Sequence, residues 1–252
     1  MIATVAAGIF MFARVSGLLM TMPALGSGIV PRLARLGAAA PLTLVLLPAG
    51  ADTRVPETLG QLVAGVGSEF ILGIAMGTVV SIAFGSLGSA AELLSTQGGL
   101  HIGSMLDPLT LSQPGALGLL ASWLGTGVFF GAGLHLQCIQ ALAESFAILP
   151  PGTIHNVASA GEVLVPATGV AVALGITLAG PLVIFVFLVN LGLSILSRMA
   201  PGLQLFFAVG PSFTVVASLA LLLIALQPML AAWLYSLPES VAAILVLADL
   251  AR

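Results

Sequence analysis

STQGGLHIGSMLDPLTLSQPG, residues 95–115, interrupts a chain that is otherwise a succession of runs rich in Ala, Leu, Val, Ile and Gly. Gly98-Gly99, Gly103, Asp107-Pro108 and Gln113-Pro114-Gly115 are turn and breaker signals set close together, so the helical pattern stops here. The segment is still apolar. Leu100, Ile102, Met105, Leu106, Leu109 and Leu111 dominate it, and only His101 and Asp107 can carry charge. Lipid cannot satisfy free N–H and C=O groups. A non-helical apolar segment between membrane helices must therefore bury its backbone in protein or line an aqueous cavity. Two readings stay open: a pore element, constriction or re-entrant loop, or a tight external loop capped against its neighbours.

The flanking composition says what kind of chain holds this segment. Of 252 residues, 59% are hydrophobic and 6% charged, and the mean hydropathy is +1.21. Soluble domains carry about 25% charged residues, so this is an integral membrane protein. Its six basic residues are all Arg, and no basic stripe exists to neutralise phosphates, which excludes a nucleic-acid partner. The single cysteine, Cys138, has no internal disulfide partner and reads as a small core residue. The N-terminus is apolar from Ile2 with no basic n-region, which predicts a retained membrane helix and not a cleaved signal peptide.

The first apolar run, residues 2–25, is long enough to span a bilayer and carries Arg14 near its middle. An Arg at that depth must be paired, face a protein interior or snorkel to the interface. A shorter run, residues 36–48, contains Pro41 and is thin for a full span. The third run, residues 58–94, has no proline. As one helix it measures roughly 55 Å, against a hydrocarbon core of about 30 Å. It must fold back or extend beyond the bilayer against protein. Glu69, Gly73, Gly77, Ser81, Gly85 and Ser89 recur every four residues along it. Such a small-residue stripe lets helix backbones approach closely, within the chain or against another. Glu69 and Glu92 are both costly facing lipid.

Residues 116–149 form a further long run, with Gly127, Gly131 and His135 four apart. His135 reads as a proton relay or, more plainly, a structural hydrogen-bonder. Pro150-Pro151-Gly152 then stops the helix. In the fifth run, residues 163–196, Gly180-Pro181 predicts a kink or turn, Gly161, Gly169, Ala173 and Thr177 line a small stripe, and Asn190 is a strong polar group. The last run, residues 203–237, is interrupted by Gly210-Pro211 and Pro228, and residues 238–252 suggest a separate short amphipathic helix. Arg32, Arg35 and Arg54 fall on both sides of the second run, so the positive-inside rule assigns no orientation.

No HExxH, CxxC, GxSxG or P-loop motif is present, and the three histidines lie far apart. No cofactor or metal is implied. Ser145 has no nameable His–Asp partners. A secondary transporter predicts two matched halves with interrupted helices, and Gly180-Pro181 and Gly210-Pro211 have no clear counterpart in the first half.

Five stretches together carry a resemblance: FARVSGLLMTMPALGSGIVPRLARLG (12–37), EFILGIAMG (69–77), SAAELLSTQGGLHIGSMLDP (89–108), GLHLQCIQALAESFAILPPG (133–152) and NLGLSILSRMAPGLQLFFAVG (190–210). In this order the chain resembles the FliR family, whose members include export-apparatus proteins of virulence type III secretion systems. The similarity runs from about Phe10 to Gly210.

The resemblance implies an all-α, multi-pass inner-membrane subunit of the flagellar type III export gate, without enzymatic activity. It implies assembly with FliP and FliQ homologues, and an FlhB homologue, around a channel for unfolded exported proteins. Residues 1–252 would form one membrane domain. About 1–150 would be a FliP-like half with a central plug loop near 95–115, and about 151–252 a FliQ-like hairpin half. The plug maps onto Leu100, His101, Ile102, Met105, Leu106, Asp107 and Pro108. Glu69, Gly73, Gly77, Ser81, Gly85 and Ser89 would be the packing stripe, with Arg14, Glu92, His135 and Asn190 as buried polar groups.

The chain departs from the family pattern in three places. Ser104-Met105-Leu106 stands where aromatic residues often precede Asp-Pro, Pro201-Gly202-Leu203-Gln204 replaces Pro-Gln-x-Asn, and Gly210-Pro211-Ser212 replaces Gly-Phe-Pro. The alternatives to a flagellar subunit are its virulence-system homologue, a secondary transporter, and an intramembrane enzyme using Ser145, His135 or His101.

Overall fold

The computed structural model describes residues 2–23, 30–50, 53, 55–98, 116–153, 160–199 and 204–251. Every regular element among them is helical: α1 (Ile2–Thr21), α2 (Arg32–Leu46) with a following 3-10 turn (Leu47–Gly50), α3 (Leu59–Gln97), α4 (Ala116–Gly131), α5 (Leu134–Ile148), α6 (Ala160–Met199) and α7 (Gln204–Leu250). Helices close all their backbone hydrogen bonds within one segment, which an apolar surrounding demands. Among the described residues, five helices are long and apolar enough to cross a membrane, or six spans if the bent α4–α5 pair counts as one. The architecture is all-α and multi-pass.

Several boundaries differ from those expected. The second span is not thin, because Arg32–Gly50 supplies 19 residues. It starts at Arg32, directly after Pro31, because the Arg35 guanidinium folds back onto the carbonyls of Val30 and Met20 and so tolerates an early turn bearing charge. α3 is one helix of 39 residues and does not fold back.

The run after the central break is two helices, bent by 63° between Gly131 and Leu134. Gly133 has φ 71°, a left-handed conformation cheap for glycine alone. Conversely, α6 runs unbroken past Gly180-Pro181, and α7 past Gly210-Pro211, Pro228 and Pro238, absorbing the segment expected as a separate helix. A proline removes one N–H and crowds one carbonyl. Ending the helix would free many more backbone groups in an apolar setting.

The chain divides into two compact units. One comprises Met1–Gly85, Val128–Ala171 and Ser236–Arg252; the other comprises Ser86–Gly127 and Val172–Tyr235. In the first, Phe10, Met11, Leu72, Met76, Phe129 and Phe146 are buried, and so is Arg14. In the second, Leu87, Leu94, Leu182, Val186 and Trp233 are buried. There the Asn190 side-chain oxygen accepts a hydrogen bond of 3.2 Å from Thr214, joining α6 to α7. Gly175 of α6 lies close against α3, where an added Cβ would stand 3.2 Å from the Ser86 carbonyl oxygen. The outer faces of α6 and α7 carry exposed Phe187, Leu188, Leu223, Ile224 and Tyr235.

Candidate functional site: a buried ion pair at a glycine crossing

The geometry starts from two glycines. On α1, a Cβ at Gly17 would collide with the Phe70 carbonyl oxygen of α3 and lie 2.8 Å from the Ile74 nitrogen. On α3, a Cβ at Gly73 would collide with the carbonyl oxygen of Arg14 itself. One turn further, Gly77 meets the Leu18 carbonyl oxygen and Thr21. The two backbones therefore touch, as small-residue crossings in membrane bundles allow. Ser81 extends the contact by donating to the carbonyl of Thr21.

Glu69 lies one turn before Gly73, so the close crossing brings its carboxylate to Arg14. Arg14 Nε donates to Glu69 Oε2 at 2.6 Å, and neither side chain has any solvent exposure. The rest of the guanidinium is satisfied by α5 and its end. Nη1 reaches the Ser145 carbonyl oxygen at 3.3 Å and Ser145 Oγ at 3.2 Å, and Nη2 reaches the Leu149 carbonyl oxygen at 3.0 Å. The Phe146 ring packs against it with its centroid 4.6 Å from Arg14 Cζ, a cation–π contact. The second carboxylate oxygen of Glu69 accepts the Gly152 N–H at 3.1 Å. One ion pair thus gathers α1, α3, α5 and the turn after it. A buried charge is tolerable only with such complete pairing.

The chemistry available here is structural. The Ser145 hydroxyl donates to the Leu142 carbonyl oxygen at 2.7 Å and accepts from Arg14, which leaves its proton on a backbone acceptor and not on a base. Among the described residues, no group of three or more His, Cys, Asp or Glu could hold a metal ion. His135 sits just beyond the α4–α5 bend, half-buried, with its ring centroid 5.0 Å from that of Phe130. Its Nδ1 has no hydrogen-bond partner. Glu92 is half-buried on α3.

The sequence-derived stripe is shared out. Glu69, Gly73, Gly77 and Ser81 face α1. A Cβ at Gly85 would meet nothing within 4 Å, and Ser89 lies beside Gly175 of α6. The plug residues Leu100, His101, Ile102, Met105, Leu106, Asp107 and Pro108 lie outside the described residues.

Sequence reading did not name Ser145, Leu149 and Gly152 as partners of the ion pair. All three contribute backbone atoms, and only Ser145 adds its side chain, so side-chain identity advertises little of the set. A signal for the pair itself was present: Arg14 is the sole charged residue of α1, and Glu69 the sole one in the first thirty residues of α3.

Comparison with known proteins supplies the context. The profile of the family described as "Bacterial export proteins, family 1" matches residues 5–239. The chain is 31% identical over 224 residues to the flagellar biosynthetic protein FliR of Caulobacter vibrioides, covering 88% of this chain and 89% of that protein. It is 29% identical over 218 residues to the flagellar biosynthetic protein FliR of Escherichia coli (86% and 83% covered). It is 32% identical over 200 residues to the Yop proteins translocation protein T of Yersinia pestis (78% and 77% covered). With one profile spanning residues 5–239 and relatives at this identity and coverage, the chain belongs to the FliR family of type III export proteins.

Proposed function

We propose that this chain is a non-enzymatic subunit of a flagellar type III export gate in the bacterial inner membrane. It assembles with FliP and FliQ homologues, in contact with an FlhB homologue, around a channel for unfolded flagellar proteins. Residues 1–150 act as the FliP-like half and residues 151–252 as the FliQ-like half. The observation that supports this most is the family match, extending over residues 5–239 of the chain. The uncovered apolar faces of α6 and α7 agree with it, since helices so exposed need lipid or partner helices against them.

Within this reading, the plug at residues 100–109 obstructs the closed channel, with Met105 and Leu106 excluding water from the narrowest point by an apolar constriction. Replacing them (Met105→Gly with Leu106→Ser) makes the closed complex conduct small ions in planar bilayers. Unchanged conductance removes the plug assignment.

A second reading, a virulence-type secretion subunit, draws on the similarity to the Yersinia pestis translocation protein. Restoring motility to a strain lacking its own FliR favours the flagellar system. Restoring effector secretion alone favours the other.

A further inference from the structure

We infer that the Arg14–Glu69 pair is a latch that sets the position of the turn at residues 150–153. Within the turn the Thr153 hydroxyl donates to the Pro150 carbonyl oxygen at 3.1 Å, but backbone donors are few. Pro150 and Pro151 have no N–H, so Gly152 supplies the first donor after Leu149. That donor goes to Glu69 Oε1 at 3.1 Å, while the last acceptor before the prolines, the Leu149 carbonyl, goes to Arg14 at 3.0 Å. The two ends of the Pro-Pro step are therefore both tied to one ion pair.

Gly152 has φ 87°, which a side chain would resist, so the tie also depends on a glycine at this point. Pro151 is buried, and a Cβ on Gly50 would stand 3.4 Å from its ring. Ser68, next to Glu69, is buried beneath the turn with its Oγ 3.4 Å from the Thr153 carbonyl oxygen. A pair that merely filled the interior could be replaced by apolar side chains, an exchange that is often neutral or stabilising for buried ion pairs. Here the same exchange removes the acceptor of Gly152 and the donor to Leu149 together.

The test uses the full-length chain in its membrane complex, with Cys138→Ala as background and Ser68→Cys as the probe. The rate of N-ethylmaleimide labelling reads whether the turn covers position 68. In Arg14→Met/Glu69→Met, labelling accelerates at least ten-fold at unchanged accumulation, and secretion of unfolded substrate falls at least ten-fold. Labelling at the reference rate overturns the latch. Should the double variant fail to accumulate, Gly152→Val decides. It keeps both charges but strains the turn, and it accelerates labelling likewise; the reference rate there also overturns the inference. The secretion readout alone rests on the export reading. If the unaltered chain supports no secretion, that reading fails while the labelling rates still decide the latch.

Discussion

Arg14 holds four acceptor atoms and one ring face from a side chain without solvent exposure. Its planar fork is what allows this, since donors on Nε, Nη1 and Nη2 leave in different directions within one plane. Arg14→Ala strands the Glu69 carboxylate, a loss of about 3–5 kcal/mol for a broken buried pair. We expect a fall in membrane accumulation and in the melting temperature of the solubilised protein. Arg14→Lys keeps the charge but offers three donors from a single atom. It should keep the Glu69 contact, lose the span to the Leu149 carbonyl, and melt between wild type and Arg14→Ala. A lysine variant melting like wild type would show that the fork is dispensable. At this scale the sequence was half legible. A lone arginine at mid-helix demanded a partner, and Glu69 offered the opposite sign. The carbonyls of Ser145 and Leu149 and the amide of Gly152 were invisible, because every residue but proline carries the same backbone groups.

Among the elements, the glycines divide by what stands opposite them. Gly17, Gly73 and Gly77 face backbone or Thr21 at distances no Cβ tolerates, whereas Gly85, Gly88, Gly127 and Gly131 face open space. Gly73→Val should separate α1 from α3 and abolish accumulation. Gly85→Val should accumulate in the membrane like wild type, because an added side chain there meets open space. Membrane accumulation of the two variants checks this, and an equal loss in both would contradict the crossing described here. The four-residue repeat made the stripe on α3 readable but not where its partner changes. α1 ends at Thr21, so residues beyond Ser81 have lost that neighbour, and Ser89 meets α6 instead. The interruptions expected in α7 at Gly210-Pro211 and Pro228 are absent, and Gly180-Pro181 does not end α6, for a physical reason. Proline costs a helix one hydrogen bond, and in an apolar setting a break costs more. The bend at Gly133 was missed because a single glycine inside an apolar run carries no direction.

For the molecule as a whole, the membrane class and the helical fold were legible from composition alone, because 6% charge and +1.21 mean hydropathy admit no soluble alternative. The division into two units was not, since it cuts across α3, α4, α6 and α7 and follows contacts made far apart in sequence. What the chain leaves uncovered points outward. Val165, Val172, Ile176 and Ile184 of α6 are exposed, and the Gly169 surface is open. Gly169→Leu should leave the subunit's accumulation in the membrane unchanged and weaken its recovery in a complex with partner helices. A fall in membrane accumulation would assign Gly169 to internal packing. The most direct measurement is affinity purification of this chain expressed with and without its FliP and FliQ homologues. The account predicts one discrete complex containing all three when they are present, and an aggregating chain when they are absent. A monodisperse, stable monomer that ignores both homologues would contradict it.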